Sequence, residues 1–366
     1  MRWWTSSGLA DPPSALQLCH TALPSSASLI TRPPRASFPH MPFVIGVDLG
    51  GTKFAVCAMT TDGVRQYAFT NDPTLPERGA DDIVDRIGAR VLDVMARTME
   101  ETGSAPGDFL GVGIGAPGPL RRADGVVVVA PNLGWRDYPL RDRLAERVGL
   151  PVVLDNDANC ATLGEWWIGA ARGTRNVVGL TIGTGIGGGL IIDGKLHHGA
   201  SDVAGEIGHT TIDTAGRRCR CGNYGCLEAY ASGTAIADRA REALDNDSPS
   251  LMRAAAPDLA ALTAEHVFDA AREGDEIARD VVKDTARYLG VGVANLLNLV
   301  NPDVVVLVGG VTGAGEQLLA PLMMEVRRRA FRPAVDAVRI VPGALGSRAG
   351  VVGAVAMFLA ERGRVA

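Results

Sequence analysis

The chain has 366 residues, 46% of them hydrophobic and 21% charged, with 36 basic against 41 acidic side chains and a net charge of −5. That balance is the one expected of a soluble globular protein, and it excludes a basic nucleic-acid-coating surface. No apolar run reaches the ~20 residues a membrane helix needs. At roughly 150 residues per domain the length allows two domains, each able to bury a core without disulfide staples.

Residues 1–40 are rich in Pro, Ser and Ala and show no hydrophobic period. Prolines interrupt any apolar core of signal-peptide type, and no helix-turn-helix pattern is present. A disordered extension or a transit segment would fit. The composition favours a third reading, that the native chain starts at Met41 and the upstream segment is not translated.

From residue 43 the pattern is strand, turn, strand. Apolar runs at 43–47 and 54–59 flank DLGGTK, and an Asp62-Gly63 turn leads to a third strand at 64–69, a hairpin meander. Over 81–101, Ile83, Ile87, Val91, Val94 and Met95 fall on one helical stripe. Strands at 110–114 and 126–130, a helix at 140–148 and a strand at 152–154 complete an α/β unit that closes near Asp155.

The second half repeats the theme. Strands at 177–182 and 189–192 flank GTGIGGG, Asp193-Gly194 turns the chain again, and helices follow from Ser232. A long apolar helix is predicted over 275–299, then a strand at 304–308, a helix at 316–329, a short strand at 339–341 and a last helix at 349–361. Two α/β domains, each opening on an apolar hairpin around a Gly-rich turn, suggest an internal duplication.

Those turns carry the first chemical signal. In Asp48-Leu49-Gly50-Gly51-Thr52-Lys53 the glycines let backbone amides approach an anion, Thr52 and Lys53 add a hydroxyl and a charge, and Asp48 supplies a carboxylate. That set suits phosphate with a divalent cation, although a plain hairpin with an Asp cap would read the same. It is not a Walker loop, since no helix follows. Thr184 and Gly185 lie in the counterpart turn, and Gly309-Gly310 ends the strand at 304–308. A dinucleotide fold would need GxGxxG opening a helix, which is missing.

Leu154-Asp155-Asn156-Asp157-Ala158-Asn159 ends a strand and opens a helix over 158–169. One Asn or Asp there is an N-cap; three exceed what capping requires. Phosphoryl transfer to a hydroxyl needs a carboxylate to take the proton and hold the oxygen in line, and Asp157 is the candidate. Cys57 and Cys160, in apolar surroundings, read as buried thiols.

Together these pieces resemble the ROK family (repressor, open reading frame, kinase), with its actin-like, ribonuclease H-like α/β fold. DLGGTK, GAPGP, DNDANCATLGE, TIGTGIGGG, AGEIGH, CRCGNYGCLEAYASG and VVLVGG follow in order from residue 44 to about 355. The resemblance implies two α/β domains around a cleft. They would span 41–155 and 156–347, with a structural zinc in the second and the helix from about 348 to 366 packing back on the first.

The chain looks most like the bacterial glucokinase branch, which implies ATP-dependent phosphorylation of glucose at the 6-hydroxyl with Mg²⁺. Another hexose (fructose, mannose or an N-acetyl-hexosamine) is the alternative acceptor. A sugar-responsive regulator is the further alternative, but residues 1–40 have neither the length nor the pattern of a DNA-binding domain. The resemblance further implies a cytoplasmic homo-oligomer, dimer or tetramer, with no nucleic-acid or membrane partner.

Position for position, Asp157 matches the catalytic base, and Asn156, Asp157, Glu206, His209 and Glu228 match the sugar ligands. Gly118 and Asn132 match the sugar-cleft loops. Asp48, Gly50, Gly51, Thr52, Lys53, Thr184 and Gly185 match the phosphate loops, and Gly309 and Gly310 the adenosine region. His209, Cys219, Cys221 and Cys226 match the zinc ligands. Four protein ligands close a tetrahedral zinc site and make it structural; a disulfide would leave an odd thiol. On this reading the metal does no chemistry and holds Glu206, His209 and Glu228 in register.

Overall fold

The computed structural model of the protein describes residues 41–244 and 248–365. The expectations about residues 1–40 lie outside the described residues.

In chain order, β1 (Phe43–Leu49), β2 (Lys53–Thr60) and β3 (Gln66–Pro73) form the meander, followed by α1 (Ala80–Thr102) and β4 (Phe109–Ala116). Three short strands come next, β5 (Leu120–Arg121), β6 (Val126–Ala130) and β7 (Trp135–Tyr138), then α2 (Leu140–Val148), β8 (Val152–Asn156) and α3 (Asp157–Trp167). The second half runs β9 (Val177–Ile182), β10 (Ile186–Ile192), β11 (Lys195–Leu196), α4 (Glu228–Ala231), α5 (Gly233–Ala243), α6 (Leu251–Ala255), α7 (Ala264–Glu273) and α8 (Glu276–Val300). It ends with β12 (Val304–Val308), α9 (Glu316–Arg329), α10 (Arg332–Ala337), β13 (Arg339–Pro342) and α11 (Ala349–Ala360).

Two five-stranded sheets result, with orders β3-β2-β1-β4-β8 and β11-β10-β9-β12-β13. In each, the first three strands pair antiparallel and the last two join parallel to the first. The identical winding is the duplication expected from the paired glycine turns. Because β1 and β12 are covered on both faces, their side chains read as unbroken apolar runs rather than alternating ones.

The helices follow their stripes. Helix α1 buries Ile83, Val84, Ile87, Val91, Val94 and Met95 and stops at Gly103 in the left-handed conformation. In α8, Asp275 caps the start through the Ala278 N–H at 2.8 Å, and Leu289, Val293 and Leu297 lie in the core. Each such side chain contributes about 1.5–3 kcal/mol relative to exposure. No described helix is long and apolar enough to cross a membrane. Cys57 and Cys160 are fully buried free thiols, as expected.

Some boundaries shift. Strand β3 starts two residues later than predicted, because Val64 and Arg65 finish the turn: their N–H groups go to Asp62 Oδ1 (3.0 Å) and Thr60 Oγ1 (3.1 Å). It then extends to Pro73 as a polar edge strand. Strand β10 takes in Gly187, Gly188 and Gly189, which pair with Thr181, Leu180 and Gly179. The GTGIGGG glycines therefore divide between a turn and a strand. The small sheet β5-β6-β7 was foreseen only at β6.

The two sheets are linked by a helix exchange. Helix α3 leaves β8 but packs on β9, β10 and β12, whereas α11, last in the chain, packs back on β1, β4 and β8. The two helices then lie against each other, backbone to backbone. A Cβ placed on Gly353 would stand 1.5 Å from the Cys160 carbonyl oxygen. Nothing larger than hydrogen fits there. Gly353→Val should cost about 2–4 kcal/mol of stability, read as a lower denaturant midpoint. An unchanged midpoint would contradict this packing.

Candidate active site

The junction of β8 and α3 sends three consecutive polar side chains to three different places. Asp155 points inward and is 0% exposed. Asn156 caps α3, its Oδ1 accepting the N–H groups of Ala158 (2.9 Å) and Asn159 (3.2 Å). Its Nδ2 faces the Gly118 carbonyl at 3.5 Å. Asp157, the first residue of the helix, is half-buried and spends one oxygen on the Ala158 N–H (2.9 Å). Asn156 thus does the capping, and Asp157 keeps one oxygen free of hydrogen bonds among the described residues.

Asp48, near the end of β1, faces Asp157 closely enough for the two charges to repel. Enclosure by protein raises the Asp48 carboxyl to about 7, with Asp157 adding to the rise and Lys53 opposing it. Burial likewise raises Asp157 to about 6, against the Ala158 N–H and with help from the Glu206 charge. Asp48 also lies against the start of α11, where a Cβ on Gly350 would meet its Oδ2 at 2.2 Å. Two carboxylates with displaced titration in one recess are a recurrent sign of acid–base or metal chemistry.

Glu206 stands close enough to Asp157 for their charges to interact. Glu206 is raised in pKa by partial burial and by the Glu228 charge, while His209 works against the rise. Glu228, at the start of α4, accepts the Ile186 N–H at 2.8 Å beside Gly185. Thr184 accepts a hydrogen bond from Thr234 Oγ1 (2.9 Å) through its carbonyl. Gly309 abuts the Ile182 carbonyl at the end of β9, with Gly310 next to it. On the other side, Gly50 N–H closes the first turn onto the Lys53 carbonyl (3.0 Å), Thr52 and Lys53 are exposed, and Asn132 lies over Gly51. The residues singled out in the sequence therefore fall into local groups: Asp48 with Asp157, Glu206 and Glu228 with Gly185, and the first turn with Asn132.

His209, Cys219, Cys221 and Cys226 converge so that their ligand atoms all lie within 4.8 Å of one another. Cys221 and Cys226 Sγ are 3.7 Å apart, and Cys219 Sγ is 3.7 Å from His209 Nδ1. A tetrahedral metal with ~2.3 Å sulfur bonds requires sulfurs about 3.8 Å apart, whereas a disulfide requires about 2.05 Å. The cluster fits a metal. With Nδ1 among the thiols, His209 turns Nε2 toward Glu206, 4.0 Å from its Oε2.

Two features escaped the sequence. Asp155 is held by His198 and Arg122, which nothing in their local sequence announces. Arg217, Arg218 and Arg220, interleaved with the cysteines, line a cavity of about 120 Å³ with Thr184 and Glu228; Arg217 is committed to Glu242.

The ROK family model matches residues 44–361. The chain is 40% identical to a glucokinase of Halalkalibacterium halodurans over 84% of this chain and 92% of that one. It is 41% identical to a glucokinase of Thermotoga maritima over 87% and 98%. The crystal structure of a ROK family glucokinase from Streptomyces griseus, in complex with glucose and AMPPNP, superposes with a TM-score of 0.74 at 38% identity, covering 86% of this chain and 98% of that one. An actin-like α/β protein with a Cys₃His cluster is thus defined. The chain belongs to the ROK family.

The cluster makes a direct prediction. Each of Cys219→Ser, Cys221→Ser and Cys226→Ser should cost the purified protein about one equivalent of bound metal by elemental analysis. Full metal retention in all three would contradict the assignment.

Proposed function

We propose that the protein is an ATP-dependent glucokinase, forming glucose 6-phosphate. The observation that carries this is the half-buried Asp157 carboxylate at the helix start, raised to about 6 and flanked by Asp48 and Glu206. A kinase acting on a sugar hydroxyl needs such a group poised near neutral pH. Asp157 accepts the 6-hydroxyl proton as the new oxygen–phosphorus bond forms and the bond between the terminal phosphorus and the bridging oxygen of ATP breaks. Asn156 Nδ2, Glu206, His209 Nε2 and Glu228 hold the remaining hydroxyls, each of which both donates and accepts. Gly118 and Asn132 border the sugar. The turns at Gly50-Gly51-Thr52-Lys53 and Thr184-Gly185 receive the phosphates, and Gly309-Gly310 leaves a flat surface for the adenosine.

Magnesium, held near Asp48, would supply charge neutralisation on the phosphates. Zinc on His209, Cys219, Cys221 and Cys226 is structural, keeping Glu206 and Glu228 at the two ends of one clipped loop. We read residues 41–155 and 156–347 as two lobes that close to exclude water, with the last helix returning to the first lobe. The seating of α3 on the second sheet and of α11 on the first supports that division. Family resemblance supports a cytoplasmic homo-oligomer, dimer or tetramer; light scattering would give its mass. Glucose is the acceptor we favour over fructose, mannose and N-acetyl-hexosamine, and kcat/KM across that panel decides it.

Asp157→Asn should lower kcat by about 10²–10⁴-fold while leaving the fold intact. A base must be unprotonated, so wild-type kcat/KM should fall as pH drops through about 6. Substantial activity in the variant, or a flat acid limb, would contradict the base assignment.

A further inference from the structure

Asp155 has no part in the chemistry described so far, yet it is the most heavily partnered carboxylate near the site. Its side chain is 1% exposed. Oδ2 lies 2.7 Å from His198 Nε2 and 3.0 Å from Arg122 Nε, and Oδ1 accepts Asn159 Nδ2 at 3.0 Å and the Asn156 N–H at 2.7 Å. Arg122 Nε is buried without a well-aligned hydrogen bond, so its contact is ionic. Burial pushes Asp155 up, but His198 and Arg122 outweigh it and hold the carboxyl below its usual range.

The partners come from separate stretches of chain. Arg122 sits in the turn between β5 and β6, and His198 just after β11. The segment after His198 is tied down twice more. The His198 carbonyl accepts the Ala204 N–H (3.0 Å), and Asp202 Oδ2 accepts the Arg122 N–H (3.1 Å). Two residues beyond Ala204 comes Glu206. Arg122 also reaches Glu361, at the end of α11, through Nη2 (2.8 Å). One junction thus fixes the β8 end that carries Asn156 and Asp157 and the turn that delivers Glu206.

Capping does not account for it, since Asn156 already caps α3. Stability is a poor account too, because a buried ion pair seldom outperforms apolar packing of the same volume. What such a pair does supply is a unique geometry.

We propose that Arg122, Asp155 and His198 are positioning residues that set where the Glu206 turn stands relative to Asp157, and thereby set affinity for the hexose. The proposal rests on the sugar-kinase reading above. In the resting protein the junction holds the Glu206 carboxylate near enough to Asp157 for their charges to interact. Without the His198 contact the turn loses its anchor to β8, and the sugar must order it on binding. That cost falls on hexose binding and not on the nucleotide.

The test compares His198→Leu, which removes the donor, with His198→Gln, whose amide can donate from nearly the same point. Asp202→Gly cuts the second tether at a position whose φ of 59° glycine tolerates. His198→Leu should raise KM for glucose about tenfold while KM for ATP stays within about twofold, and His198→Gln should recover most of the loss. Asp202→Gly should raise glucose KM by a smaller factor and keeps the test open should His198→Leu not fold. Amide hydrogen exchange of the unliganded full chain should speed up over 197–206 in the Leu variant, but neither in the Gln variant nor in α8. A stability loss with unchanged glucose KM and unchanged exchange over 197–206 would overturn the proposal. If the wild type phosphorylates no hexose, the kinase reading falls, and the exchange data still decide whether the junction holds the turn.

Discussion

The site depends on how a buried strand becomes a helix at Asp155-Asn156-Asp157. A strand alternates its side chains and a helix turns them by about 100° per residue, so three neighbours at the changeover diverge. One goes into the interior, one back onto the helix's own first N–H groups, and one out into the recess. The orphan donors of a helix start would ordinarily compete for the carboxylate of the first residue. Here Asn156 takes much of that demand, and Asp157 keeps an oxygen with no hydrogen bond among the described residues.

The second constraint is the exchange of helices between sheets. Because α3 grows out of the first sheet and settles on the second, its N-terminus stands where the two sheets meet. Helix α11 returns the favour and closes the backbone contact at Gly353 and Cys160. Asp48 comes to Asp157 through the same arrangement, since it lies on the strand that α11 covers. The mutual repulsion of those carboxylates is a cost the fold accepts at a working site; cations and donors brought by ligands offset it.

Much of this was legible in the chain. Unbroken apolar runs marked the covered strands, the stripe of Ile83, Ile87, Val91, Val94 and Met95 marked α1, and the resemblance to ROK proteins implied the cluster of His209, Cys219, Cys221 and Cys226. Strand β7 was missed because Trp135-Arg136-Asp137-Tyr138 carries no run and no clean alternation in burial. Ile186-Gly187-Gly188 at the start of β10 was missed because a run of glycines looks like a turn; α3 lies against Gly187 and Gly189. The Arg122–Asp155–His198 junction was out of reach for a different reason. Arg122 and His198 are 33 and 43 residues from Asp155, and an Arg or His in a loop has no local period to betray its partner. Asp155 itself was masked by its two neighbours, the Asn156 cap and the candidate base Asp157.

If Asp157 receives the proton of the acceptor hydroxyl, as proposed, a crystal structure of this protein with glucose and a non-hydrolysable ATP analogue should show it. An Asp157 carboxylate oxygen should lie within about 3.2 Å of the sugar 6-hydroxyl, on the side opposite the terminal phosphate. A 6-hydroxyl held by another side chain, with Asp157 turned away from the sugar, would contradict it.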